Sequence, residues 1–182
     1  ASADYQWVLD PIDGTRPFVH KVPLFGTLIG LLHKGQPVLG AIHIPPSAEL
    51  CIGAKGHPTT LNGTSVRVKA TERLADATVL YTNTQTWWEG GHADAFQRLQ
   101  QKAGLVRGWG DCYGHMMVAI GRADVMIDTV LKIWDVAALK PCVEGAGGKL
   151  TDKFGKDTGV GESAVSSNGR LHQQVINLLG AK

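Results

Sequence analysis

Trp7-Val8-Leu9-Asp10-Pro11-Ile12-Asp13-Gly14-Thr15 is the stretch that decides how this chain is read. Residues 5–10 form a short strand pattern that ends on a carboxylate, and Pro11 and Gly14 then break the pattern into a loop. A hard cation such as Mg²⁺ takes oxygen ligands in a near-octahedral shell and keeps several waters. Asp10, Asp13 and the backbone carbonyl of Ile12 offer such oxygens from one loop. Gly14 lets the backbone approach a ligand closely, and its N–H and that of Thr15 are placed to face a phosphate. A helix starting near Thr15 would add a favourable field for the anion. The same spacing also fits an Asp-rich turn in which Asp13 closes an Asx turn or caps a helix.

Outward from this loop, residues 24–33, 37–43 and 48–53 are β-rich runs with short connections, which predicts an antiparallel meander. Asn62-Gly63 inside Pro58–Val68 predicts a further hairpin. The texture changes near residue 74. Short strand patterns at 79–81, 106–109, 125–127 and 164–166 alternate with helical patterns at 92–103, 112–121, 135–146 and 170–179, which argues for an α/β half. We therefore expect an antiparallel sheet half over 1–74 and an α/β half over 75–182.

Composition excludes several classes. The chain has 182 residues, 43% of them apolar, enough for a substantial core. A net charge of +2, with no block of like charges, gives no electrostatic case for nucleic acid or a membrane surface. No apolar run is long enough to span a bilayer. Three cysteines without CxxC spacing fit a reducing, cytoplasmic setting better than a disulfide framework. The seven histidines show no HxH or HExxH spacing, and no G-x-S-x-G elbow is present. A strand pattern begins almost at Ala1, without an initiator Met or an apolar leader, so the chain reads as cut rather than begun.

WVLDPIDGT resembles the first signature of the inositol monophosphatase family. Trp134-Asp135-Val136-Ala137-Ala138-Leu139, running into Glu144-Gly145-Ala146-Gly147-Gly148, is similar to the second, more than a hundred residues on. The resemblance implies a layered α-β-α-β-α sugar-phosphatase fold, here without its N-terminal helices, and commonly a homodimer. It also implies that Asp10, Asp13, Asp135 and the Ile12 carbonyl hold two or three Mg²⁺ ions. Thr15 would orient the attacking water, and Ile12, Asp13, Gly14, Thr15 and Asp135 would meet the substrate. The family's upstream metal-binding glutamate has no match in this sequence, so the chain alone is expected to hydrolyse poorly. Read without the resemblance, Asp135 is a residue that starts a helix with Val136, Leu139, Val143 and Ala146 on one apolar face and Pro141 inside.

Gly110-Asp111-Cys112-Tyr113 and Leu131-Lys132-Ile133-Trp134-Asp135 look like the histidinol-phosphatase branch of that family. A carboxylate at Asp111 is able to pair with the ammonium of an amino-alcohol phosphate such as histidinol phosphate, which a polyol lacks. Helix capping is the other reading of Asp111. Asp128 stands where the family usually has a substrate-contacting glutamate and is one methylene shorter. The expected function is Mg²⁺-dependent hydrolysis of histidinol phosphate, in histidine biosynthesis. The alternatives are an inositol monophosphatase or broad phosphatase of the same family, and an inactive metal-binding or interaction protein on the same scaffold. Lys132 reads as a solvated lysine, and Trp87-Trp88 as packing residues.

Overall fold

The computed structural model describes residues 3–157 and 161–180. The reading of Ala1 and Ser2 lies outside them. Strands β1 (Tyr5–Asp13), β2 (Gly26–His33), β3 (Gln36–Ile44), β4 (Glu49–Ala54), β5 (Thr60–Leu61) and β6 (Thr64–Ser65) form one antiparallel sheet in chain order. Asn62 and Gly63, both at positive φ, make the β5–β6 turn. A second sheet has the order β10 (Lys149–Thr151), β11 (Ala164–Ser167), β9 (Val125–Asp128), β7 (Thr78–Tyr81), β8 (Leu105–Arg107). In it β9, β7 and β8 run parallel, and β10 and β11 are antiparallel.

Helices α4 (Asp111–Ala119) and α5 (Ile133–Gly145) lie between the two sheets. Their core joins Leu28, Ile42, Met116, Leu139 and Val143. On the far face of the second sheet, α3 (Ala93–Lys102) and α6 (His172–Gly180) pack together, over a core with Trp87 and Phe96. The described residues thus form four layers, sheet–helix–sheet–helix, with α1 (Thr15–Val19) and α2 (Gln85–Glu89) as single turns. The outer face of the first sheet exposes Tyr5, Trp7, Leu9, Leu50 and Ile52.

Several details depart from the sequence reading. The expected loop at Pro11 is instead the last part of β1, with a register shift between Asp10 and Asp13. Pro11 is tolerated because β1 is an edge strand, where a missing N–H costs no ladder bond. Helix α5 has no single apolar face. It is buried continuously from Val136 to Val143, because it is sandwiched between sheets, and it runs through Pro141. Of the tryptophan pair, Trp87 is core and Trp88 is exposed. The single turn α2 and strand β10 were not legible in the sequence.

Candidate active site

Three segments converge at one edge of the helix layer: the end of β1, the first turn of α4, and the first turn of α5. One carboxylate oxygen each from Asp10, Asp13 and Asp135 lies within 4.8 Å of the others. Each is held by a backbone N–H. Asp10 Oδ1 accepts the Ile12 N–H at 3.0 Å. Asp13 Oδ2 accepts the Cys112 N–H, the second residue of α4, at 2.6 Å. Asp135 Oδ2 accepts the Lys132 N–H at 2.7 Å from the third position of α5, so Asp135 closes the helix start without being the N-cap residue.

The turn that follows the second β1 aspartate is held tightly. Gly14 is buried at φ +76, and a Cβ there would stand 2.9 Å from the Leu24 carbonyl oxygen. That leaves glycine as the fitting residue. A helix does begin at Thr15, though it is only five residues long. Thr15 Oγ1 donates to the Ile12 carbonyl oxygen at 3.2 Å, which places the threonine hydroxyl beside the backbone oxygen named above as a ligand. The carbonyl keeps a second lone pair for a cation.

Asp111 is the first residue of α4, with Gly110 before it as N-cap. Its backbone sits at φ +54, a region costly for a residue with a Cβ but best tolerated by Asn and Asp. The Thr82 hydroxyl, just past the end of β7, accepts the Asp111 N–H at 2.9 Å. The Asp111 side chain makes no hydrogen bond with the described residues, so it is not a helix cap. Asp128, at the C-terminal end of β9, is buried, and its Oδ2 meets His115 Nε2 at 3.2 Å. Thr82 and Asp128 therefore stand at the carboxyl ends of two neighbouring parallel strands, the edge where open α/β sheets take ligands. Lys132 is exposed.

Crowded acid groups shift one another. Burial, then the charges of Asp13, Asp128 and Asp135, push Asp111 up to about 7. Asp135 rises to about 7 mainly by burial; the Lys132 N–H opposes this, and Asp13 and Asp10 add to it. Asp13 is raised by burial, against the Cys112 hydrogen bonds and with Asp10 and Asp128. Burial first of all also pushes the Cys112 thiol up, so it stays protonated and is a poor nucleophile. A cluster of acids held this close is unfavourable by itself and is relieved by a cation.

That arrangement fits a divalent ion. Two oxygens on one octahedral Mg²⁺ are at most about 4.2 Å apart, twice the Mg–O bond. Three ligands of one ion include at most one such opposed pair, so binding would draw the three aspartate oxygens, which lie within 4.8 Å of one another, closer together. A cavity of about 750 Å³, lined by Lys55, Arg67 and Glu144 among others, lies around the far end of α5 and is not part of this cluster. His115, Thr82 and the Cys112 amide were missed in the sequence. Thr82 carried a usable signal, its place just after a strand, whereas the backbone amide carried none.

Comparisons with known proteins identify the family. The family model for the inositol monophosphatase family matches residues 1–181. A histidinol-phosphatase from Chlorobaculum parvum is 42% identical over 176 residues, covering 96% of this chain and 68% of the relative. One from Mycobacterium tuberculosis is 34% identical and is covered to 70% of its length. The solved inositol monophosphatase from Zymomonas mobilis superposes with a TM-score of 0.92 at 33% identity, over 100% of this chain and 72% of that one. With its layered fold and converged acid cluster, the chain belongs to the inositol monophosphatase family of phosphoric monoester hydrolases.

Proposed function

We propose that this phosphatase is Mg²⁺-dependent and that its substrate is L-histidinol phosphate, in a late step of histidine biosynthesis. The observation that carries the reading is the convergence of Asp10, Asp13 and Asp135, with the unpartnered carboxylate of Asp111 beside them. In this reading Asp10, Asp13, Asp135 and the Ile12 carbonyl hold two or three Mg²⁺ ions. When bound, the ions neutralise the phosphomonoester, lower the pKa of a bound water and stabilise the departing alkoxide.

The protein's own groups supply orientation. Thr15 positions the attacking water, and the backbone at Gly14 and Thr15 lies against the phosphate. The N-termini of α4 and α5 both face the cluster and favour the anionic ester. Asp111 takes the substrate ammonium, and Asp128 lines the same space. Three histidinol-phosphatases among the relatives support this choice over a polyol phosphate. A cytoplasmic setting, supported by three free buried thiols, and a homodimer complete the proposal.

A phosphate-release panel tests it, using histidinol phosphate and inositol 1-phosphate side by side, on a preparation that includes any residues encoded ahead of Ala1. Preference for histidinol phosphate by about tenfold or more in kcat/KM supports the reading. Asp111→Ala should erase that preference. Equal losses on both substrates would favour the broad-specificity reading, and no release from either would favour a non-catalytic role.

A further inference from the structure

His115 is fully buried in the middle of α4, preceded by Gly114 and followed by Met116, Met117 and Val118. An apolar side chain would fill that place without the desolvation cost of an imidazole. Both ring nitrogens are nevertheless engaged. Nδ1 lies 2.7 Å from the Ser166 hydroxyl on β11, and Nε2 lies 3.2 Å from Asp128 Oδ2 on β9. The ring thus ties the helix layer to two adjacent strands of the second sheet.

The partners dictate the proton positions. An ionised carboxylate only accepts, so Nε2 carries the hydrogen. The Ser166 hydroxyl both donates and accepts, and donates to Nδ1 when the ring is neutral. The resulting line is Ser166 O–H to Nδ1, then Nε2–H to Asp128 Oδ2. Asp128 Oδ1 makes no hydrogen bond with the described residues. It is also not among their fully enclosed unsatisfied atoms, where only the Thr129 hydroxyl appears. One oxygen of Asp128 is therefore anchored and the other is left open, and the carboxylate lies close enough to Asp13 and Asp111 to raise both.

We infer that His115 is a positioning residue: held by Ser166, it fixes Oδ2 of Asp128 so that Oδ1 is presented to the polar end of the substrate, next to Asp111. The short aspartate at this position has few rotamers, and the imidazole behind it selects one. His115 itself never meets substrate. The inference deepens the proposed function, because it assigns how Asp128 serves the same pocket, but the His115–Asp128 coupling does not depend on which phosphomonoester is the substrate.

The test is a double-mutant cycle of His115→Ala and Asp128→Asn, run with whichever of histidinol phosphate and inositol 1-phosphate is hydrolysed, together with ¹⁵N NMR of the imidazole in the unmodified protein. We expect His115→Ala to raise KM about tenfold, with kcat within about twofold. In the Asp128→Asn background it should add less than about twofold. The ring should report the Nε2–H tautomer. Equal effects of His115→Ala in both backgrounds, a loss confined to kcat, or an Nδ1–H tautomer would each overturn the inference. If His115→Ala does not fold, Ser166→Ala should shift the Nδ1 resonance while keeping the Nε2–H tautomer and raise KM in the same direction, and an unchanged Nδ1 resonance would count against the inference. A preference for inositol 1-phosphate would overturn the substrate assignment alone, since the cycle then runs on that ester.

Discussion

The backbone N–H of Cys112 donates to Oδ2 of Asp13 at 2.6 Å, across 99 positions of sequence. This one bond locks the aspartate-bearing end of β1 onto the start of α4, and so sets Asp111 beside the acid cluster. Asp13→Asn keeps an acceptor for Cys112 and removes a charge, whereas Asp13→Ala leaves a buried N–H unsatisfied. The alanine variant should be less stable than the asparagine variant by about 1–2 kcal/mol. Urea unfolding of the two checks this, and equal midpoints would contradict it.

Asp111 occupies a left-handed backbone position, at φ +54, next to three other acids. Asp111→Gly removes both the backbone strain and the repulsion. It should raise stability by about 1 kcal/mol in metal-free buffer while lowering selectivity for an amine-bearing ester. Thermal melts and the two-substrate panel read the two effects separately.

The close packing of α5 on the first sheet depends on glycine at Gly30, Gly40 and Gly53. A Cβ on Gly40 would land on the Ala138 carbonyl of α5, and one on Gly30 would come 2.7 Å from Ala137 Cβ. Gly40→Ala should therefore cost about 3 kcal/mol or more in urea unfolding, because the helix cannot move off without opening the core. Gly35→Ala, at φ +77 with nothing nearby, should cost only about 1 kcal/mol through its backbone.

Much of the site could be read before the structure. Asp10 and Asp13 stood out because Pro and Gly punctuate the strand, whereas the apolar run after Asp135 marked only a helix start, and the resemblance to the family's second signature is what pointed to it as a site residue. The meander was legible from its short connections, and the further hairpin from Asn62-Gly63. Other features resist such reading for physical reasons. The strand continues through Pro11 because β1 is an edge, a fact about neighbours. The histidine line to Asp128 joins residues 13 and 51 positions apart, and inside α4 His115 looks like one more buried side chain. The burial of α5 on all sides hides the one-faced pattern expected of it, since two sheets enclose it.

His172, on α6, is buried between the Thr151 hydroxyl, 2.9 Å from Nε2, and the Ser167 hydroxyl, 2.8 Å from Nδ1. Burial, then the charge of Lys149, lowers its pKa from 6.5 to about 4. The folded state thus resists protonation that the unfolded chain accepts. The stability from a neutral His172 is present above pH 6.5 and is lost as pH falls toward about 4, by up to about 3 kcal/mol. Urea unfolding across that window should show a steeper decline in the unmodified protein than in His172→Gln. Parallel curves would contradict the assignment.

The central claim is that Asp10, Asp13 and Asp135, from distant parts of the chain, form one cation site. Isothermal titration with Mg²⁺ at constant ionic strength tests it most directly. The unmodified protein should bind Mg²⁺ and gain thermal stability with it, and Asp135→Asn should weaken binding by about tenfold or more while remaining folded. Binding by Asp135→Asn as tight as that of the unmodified protein would show that Asp135 shares no ion with Asp10 and Asp13.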